Sequence, residues 1–397
     1  MSSIFKSGSC YKAFIISVVT FGLSYGLYKA VIDNYLAEIV HMMQFDRGVS
    51  EFFRELPGFL LVFVLALLYE FSAEKIFKTG ALIMLAGMLM QVLIPAQRVP
   101  VTIAIFIYSL GEHMQFGMRN TIALQCANRS KEGAALGTQN AAYQFGTLAG
   151  YILVAIIFYF FAGMNNLFRL VFILSTLIIF TGFIFSLNMR NCHSSQNQDR
   201  QIGRFYFRKK YTKFYMLEIF YGARKQIFFT FGPYLLVLFY GAGAMAISIL
   251  FAISAIAGFI CSPIVGRIID KLGYKIVMVA DTLILVIVCL FYGFAHHIFP
   301  MNIAFLVCCV NYVLDSIISL ASMASNVYVQ DISDTPEEVK ATISTGVSVN
   351  HLITILIALF GGWIWQVLGI ETLFIMSAVF GLLNSAYAAS IKVPAKN

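Results

Sequence analysis

Five basic side chains, Lys29, Arg54, Arg119, Arg224 and Lys225, fall inside long apolar runs of a 397-residue chain. At the centre of a bilayer such an ion costs from about 3 to over 10 kcal/mol, so each must face protein, a partner charge or water. The neighbouring residues are spaced to provide partners. Tyr25, Lys29 and Asp33 lie at i, i+4 and i+8, which stacks phenol, ammonium and carboxylate on one stripe of a helix. Glu112, Gln115 and Arg119 repeat the pattern, as do Glu218, Tyr221 and Lys225, with Arg224 turned roughly 100° away on an ideal helix. Asn311, Asp315, Ser319, Ser322 and Asn326 form a fourth ladder. Such stripes can hold an anionic group on their cations and take up or release a proton at Asp33, Glu112 or Asp315. His351, which shares a stripe with Ser344 and Ser348, and His113 are further proton-carrying candidates. The competing reading is that buried charges only fix helix register. Glu51, Arg54 and Glu55, beside Pro57, fit that reading best, as an interfacial cluster or at most an outer gate.

Elements able to position these stripes must lie in lipid. Hydrophobic residues make up 60% of the chain and charged ones 12%, and the mean hydropathy is +0.83. Soluble chains carry about 25% charged residues, so a cytosolic enzyme, a secreted disulfide scaffold and a disordered tail protein are all excluded. Twelve apolar runs, from 12–37 through 51–71 to 341–365 and 371–391, are long enough to cross a hydrocarbon core of about 30 Å. They lack the alternation of barrel strands, which predicts an all-α integral membrane protein with twelve transmembrane helices. Nineteen lysines and arginines fall in the loops on the side of the termini, against Arg47, Arg98 and Arg169 on the other. That bias predicts cytoplasmic termini and explains the net charge of +8 without invoking nucleic acid. The first run continues past a signal peptide's short apolar region into Asp33 and Glu38, so it is expected to stay uncleaved. The seven cysteines show no CxxC or Cys/His metal spacing, and neither a phosphate loop nor a nucleophile–base pair is present. No cofactor, metal or enzymatic activity is expected.

The polar stretch near Asn188–Lys213 divides the runs six and six, giving halves 1–189 and 212–397 joined by a cytoplasmic linker 190–211. YGLYK at 25–29 recurs as YGARK at 221–225; at the same offset of 196, Glu74-Lys75 maps onto Asp270-Lys271 and Gly150 onto Gly346. One shared spacing for three matches indicates an internal repeat.

Between the eighth and ninth runs lies GRIIDKLGYK, with Gly266, Asp270, Lys271, Gly273 and Lys275. With six plus six spans in about 400 residues, it resembles the signature loop of the major facilitator superfamily. The two glycines are expected to give a tight turn and close helix approach, with Asp270 ahead of the ninth helix as part of a latch. The first-half counterpart, EFSAEKIFK, keeps the Glu74–Lys75 pair and lacks both glycines; the fifth run lacks the GxxxGPxxGG pattern of many drug/proton antiporters.

The resemblance implies two six-helix pseudo-repeats whose helices 1, 4, 7 and 10 line a central cavity, the helices that carry the four polar stripes. It implies a secondary transporter of the cytoplasmic (inner) membrane, working by alternating access and as a monomer; the paired cations Lys29 and Lys225 and the nearby carboxylates make a small organic anion or zwitterion, moved with protons or another coupling ion, the expected substrate. Tyr25, Lys29, Arg119, Tyr221, Arg224, Lys225 and Asn311 are the expected substrate ligands, with Lys29 facing Lys225. Asp33, Glu112, Asp315 and His351 are the expected proton-coupling groups, and the two signature loops the gates. Alternatives are a drug/proton antiporter exporting cationic amphiphiles and a non-transporting receptor or assembly factor that keeps the fold.

Overall fold

The computed structural model describes residues 4–5, 9–68, 70–128, 130–189 and 207–391. The expected linker therefore lies largely, over 190–206, outside the described residues. The described chain is helical throughout, with one isolated β-bridge between Phe5 and Ala127. In hydrocarbon a backbone N–H has no partner but its own helix, so long apolar runs become helices of bilayer length at 1.5 Å per residue.

The first six spans are α1 (Ser9–Asn34), α2 (Gln44–Leu67), α3 (Ala73–Leu93), α4 (Arg98–Cys126), α5 (Glu132–Phe160) and α6 (Leu167–Leu187). The seventh consists of α7 (Thr212–Gln226) and α8 (Gly232–Leu238), joined by a π-turn at Ile227–Phe231. The eighth and ninth are α9 (Ala244–Leu272) and α10 (Tyr274–Ile298). The tenth is α11 (Met301–Ile318), a 3₁₀ turn at Ser319–Ser322 and α12 (Met323–Ile332); α13 (Pro336–Leu368) and α14 (Ile370–Ala389) complete the set.

Among the described residues nine spans are long and apolar enough to cross a membrane by composition. The other three, α2, α4 and the α7–α8 span, carry Arg54, Arg119 and the Arg224-Lys225 pair respectively. Departures from regular helix fall on polar spans too. A π-turn, Tyr35–Ile39, ends α1; another divides the seventh span ahead of Pro233, which has no N–H to give to the preceding turn; the 3₁₀ turn divides the tenth.

The contacts separate two compact units. One comprises 1–41, 56–202 and 243–252, the other 42–55, 203–242 and 253–397. In the first, α1 packs on α5 and α6, and α3 on α4 and α6; in the second, α7 packs on α13 and α14, and α10 on α11 and α14. The repeat read at an offset of 196 is thus a repeat of packing. Gly26 and Gly150 meet where α1 crosses α5, and a Cβ on Gly150 would stand 2.6 Å from the Leu23 carbonyl oxygen. Their counterparts Gly222 and Gly346 lie where α7 meets α13, against Asn350 and Phe214.

Helix α2 begins seven residues before the expected run, at Gln44. Asp46 accepts the Met43 N–H at its first turn, and Gly48 lets its backbone approach Ala358 and Gly362 of α13. This moves Arg47 out of the loop where the charge count places it and into a helix, where it is buried. Helix α13 begins at Pro336 rather than 341, because Thr335 accepts the Glu338 N–H and so caps the first turn.

Candidate functional site

In the first unit Lys29 and Asp33 are joined as their spacing predicts, with Nζ 3.4 Å from Oδ2 and both side chains buried. The ammonium also stands 5.4 Å from the centroid of Phe251, whose ring packs on Tyr151. Arg119 uses a neighbour that its own helix does not supply: its guanidinium lies 3.9 Å from the Tyr143 ring centroid on α5. Tyr25 reaches the same ring from α1 at 6.0 Å between centroids. Tyr143 therefore links the first-helix and fourth-helix stripes, and Glu112 is within electrostatic reach of Tyr143 and Tyr151. Nothing in the stripe spacings points to Tyr143, because stripes show which residues share a helix face and not what the adjacent helix brings.

In the second unit the structure sets two adjacent cations in different surroundings. Arg224, with its side chain 0% exposed, points between α10 and α11; its guanidinium nitrogens lie 3.5 Å from Asp281 Oδ2 and 3.7 Å from Asp315 Oδ1. Lys225 is exposed, with its Nζ 5.9 Å from the Tyr221 ring. Glu218, which shares the Lys225 stripe, instead accepts hydrogen bonds from Ser325 and Asn350. Tyr221 donates to the Ser319 carbonyl oxygen at 3.1 Å, in the 3₁₀ turn of the tenth span, and its ring stacks under Arg224. Asn311 is buried but turns its amide to the Val307 carbonyl of its own helix. Asp281 was missed in the sequence, although the signal was there: one carboxylate in the otherwise apolar run of α10.

The acidic group on α2 is buried among protein side chains rather than standing on the protein surface. Glu51, 1% exposed, accepts from Arg47 at 2.8 Å, from both Nε and Nη2 of Arg54 at 2.9 and 2.6 Å, and from Gln226 at 3.0 Å. Arg54 also contacts Glu55, whose other oxygen meets His351 Nδ1 at 3.1 Å. Thr230 shares the Gln226 amide, and the Arg47 guanidinium lies over Tyr234. The second unit thus holds a continuous buried network across α2, the seventh span and α13. It takes in His351, expected as a proton carrier, through a carboxylate that the sequence alone sets at the membrane surface.

The signature loop is partly as expected. Gly273 has φ +84°, a conformation that favours glycine, and makes the α9–α10 turn. A Cβ on Gly266, by contrast, would meet nothing within 4 Å, so that glycine is not there for close helix approach. Asp270 and Lys271 stand exposed in the last turn of α9, just ahead of α10 in the chain. Lys275 is the anchored member, donating to the Ile391 carbonyl oxygen at 2.8 Å. In the first-half loop Glu74 is buried in the first turn of α3, with Ser72 as its N-cap, and Lys75 lies over Phe71. In the second unit, Lys210 donates to Asp334 at 2.6 Å, and that bond holds its ammonium pKa above its ordinary value.

The family model of the Major Facilitator Superfamily matches residues 14–349 and, in a second match, 214–396. The chain belongs to this superfamily. Major facilitator proteins are membrane transporters, and solved structures with the same fold agree. The nucleoside transporter NupG aligns with a TM-score of 0.76 at 15% identity, covering 97% of this chain and 100% of its own. A POT family transporter in complex with 5-aminolevulinic acid aligns at 0.74 and 12% identity, covering 94% of each chain. A bacterial homologue of the human lysosomal transporter Spinster, inward-facing and occupied, aligns at 0.71 and 13% identity, over 96% of this chain and 97% of its own. A search of curated sequences finds no match. At these identities the likeness establishes the superfamily fold and says nothing of the molecule carried.

Proposed function

We propose that this major facilitator protein is a proton-coupled transporter of a small organic anion or zwitterion, working by alternating access in the cytoplasmic membrane with both termini inside. The observation that carries the coupling is the buried cluster of Arg224, Asp281 and Asp315. One guanidinium faces two carboxylates in a site without solvent exposure of the cation. Two ionised carboxylates would leave a net negative charge there, so a proton can balance the site, and its loss or gain changes the energy of each conformation. Asp281 joins Asp315 as a coupling group in this reading, while Asp33, paired with Lys29, and Glu112 are its candidates in the first unit.

Substrate recognition is assigned to Tyr25, Lys29 and Arg119 in the first unit and to Tyr221, Lys225 and Asn311 in the second. Arg224 moves from the substrate ligands to the coupling cluster, since both of its charge partners are carboxylates of the protein. Lys225 is the preferred anion ligand because its ammonium is exposed while the other cations of the polar stripes are engaged.

The test uses purified protein in liposomes that trap a pH-sensitive dye. Candidate zwitterions and organic anions, first screened by the rise they give in melting temperature, are added outside. Substrate-driven acidification of the lumen is expected, and Asp281→Asn and Asp315→Asn should retain substrate exchange without proton movement. Proton movement undiminished in the Asp281→Asn/Asp315→Asn double variant would remove the assignment.

A further inference from the structure

Helix α10 ends with two adjacent histidines, His296 and His297, and the first turn of α14 supplies Glu371. Both imidazoles turn the same nitrogen toward the same carboxylate oxygen: Nε2 of His296 is 3.1 Å, and Nε2 of His297 2.8 Å, from Glu371 Oε1. The two rings are 4.0 Å apart between centroids, and the three ligand-capable atoms lie within 4.8 Å of one another. One carboxylate oxygen has two lone pairs and can accept from both rings, and the same convergence also suits a metal ion. A carboxylate has two oxygens, and two imidazoles could take one each; gathering two lone-pair nitrogens and an anionic oxygen around one point suits a cation at that point.

We propose that His296, His297 and Glu371 form a binding site for a divalent transition-metal ion of the zinc type, fastening the end of α10 to the start of α14. Two imidazoles and one carboxylate are borderline ligands, matched to zinc and its neighbours and poorly matched to magnesium or calcium, which prefer oxygen throughout. Metal–ligand bonds of about 2.0–2.2 Å in a tetrahedron place ligand atoms about 3.3 Å apart. The separations of 2.8 and 3.1 Å need to widen by only a few tenths of an ångström, and His297, 57% exposed, has room to turn.

The surroundings hold the other two ligands in place. Gly369 precedes α14 at φ +89°, and a Cβ there would come 2.7 Å from Glu371 Oε2, so a glycine keeps the carboxylate's position clear. The Phe239 ring, 5.0 Å from the His296 ring, packs against that imidazole. Three protein ligands leave a fourth position for water or an incoming donor atom, the pattern of an accessible rather than a closed metal site. None of these three residues belongs to the proposed transport machinery, so the site stands or falls independently of it.

The full-length protein, with any affinity tag cleaved and stripped with a chelator, is titrated calorimetrically with Zn²⁺ alone. The expected result is one ion per chain with micromolar or tighter affinity, and no binding of Mg²⁺ or Ca²⁺ under the same conditions. His297→Ala and Glu371→Gln should each weaken Zn²⁺ binding by about tenfold or more, with unchanged metal-free melting temperature. Because a variant can be lost to misfolding, Co²⁺ is also added to the unaltered protein, where visible d–d bands of a low-coordinate nitrogen–oxygen site are expected. Zn²⁺ binding unchanged in His296→Ala/His297→Ala, no uptake of Zn²⁺ by the unaltered protein, or a Co²⁺ spectrum of the hexaaquo ion would each overturn the assignment.

Discussion

Replacing Arg224 by Met keeps the side chain's length and removes its charge, leaving Asp281 and Asp315 without the cation that lies within ion-pair distance of both. At 3.5 and 3.7 Å, each charge pair is worth about 5 kcal/mol at an effective dielectric of about 20, before desolvation is subtracted. Removing one partner of a buried ion pair costs about 3–5 kcal/mol net, because the remaining charge must be neutralised or wetted. In a cooperative unit of about 200 residues, where 1 kcal/mol moves the midpoint by about 2–4 °C, that loss corresponds to a fall of about 6–20 °C. Asp281→Asn should be far milder, since it leaves one cation with one carboxylate, and the triple variant Arg224→Met/Asp281→Asn/Asp315→Asn should recover much of the loss. Scanning fluorimetry in detergent reads all of these. A midpoint for Arg224→Met within 2 °C of the parent, or an equal fall for Asp281→Asn, would refute the ion cluster as the feature that holds α7 against α10 and α11.

Other expectations follow from the same geometry. Lys225→Gln should abolish transport while shifting stability by no more than about 0.5 kcal/mol, because an exposed side chain contributes little to folding; liposome flux and a melting curve on one preparation decide it. Glu51→Gln should destabilise by about 3 kcal/mol or more, since Arg47 and Arg54 both lose their shared carboxylate, and Arg54→Lys should lose part of that as well because an ammonium cannot match the two-pronged contact. The glycines of the signature loop should part company in thermal melts: Gly266→Ala, in open space within α9, should be neutral or stabilising by up to about 1 kcal/mol, whereas Gly273→Ala should cost about 1–3 kcal/mol for the backbone conformation it must adopt.

The spacing of charges in the sequence located the polar helices, and the structure places an ion pair, a cation on an aromatic ring or a buried cluster on each of the first, fourth, seventh and tenth spans. It did not rank adjacent residues. Arg224 and Lys225 differ by one helical step, and a stripe drawn through Glu218 and Tyr221 favoured Lys225; the positions of α10 and α11 put Arg224 against two carboxylates instead. Glu51, Arg54 and Glu55 looked interfacial because Pro57 and three charges at a run's end resemble a helix mouth. Their burial depends on Gly48 admitting α13 and on Gln226 and His351 arriving from two other spans.

What the chain determined by itself is what lipid demands of any single segment: twelve helices, two similar sets of six, and charges confined to a few faces. A span must satisfy its backbone internally and match the hydrocarbon thickness, and both conditions can be read one segment at a time. Tertiary structure decided which charges meet. Arg224 finds Asp281 at 57 residues' separation and Glu55 finds His351 at 296. Those choices depend on crossing points and axial rotations of packed helices, which no spacing along one helix records.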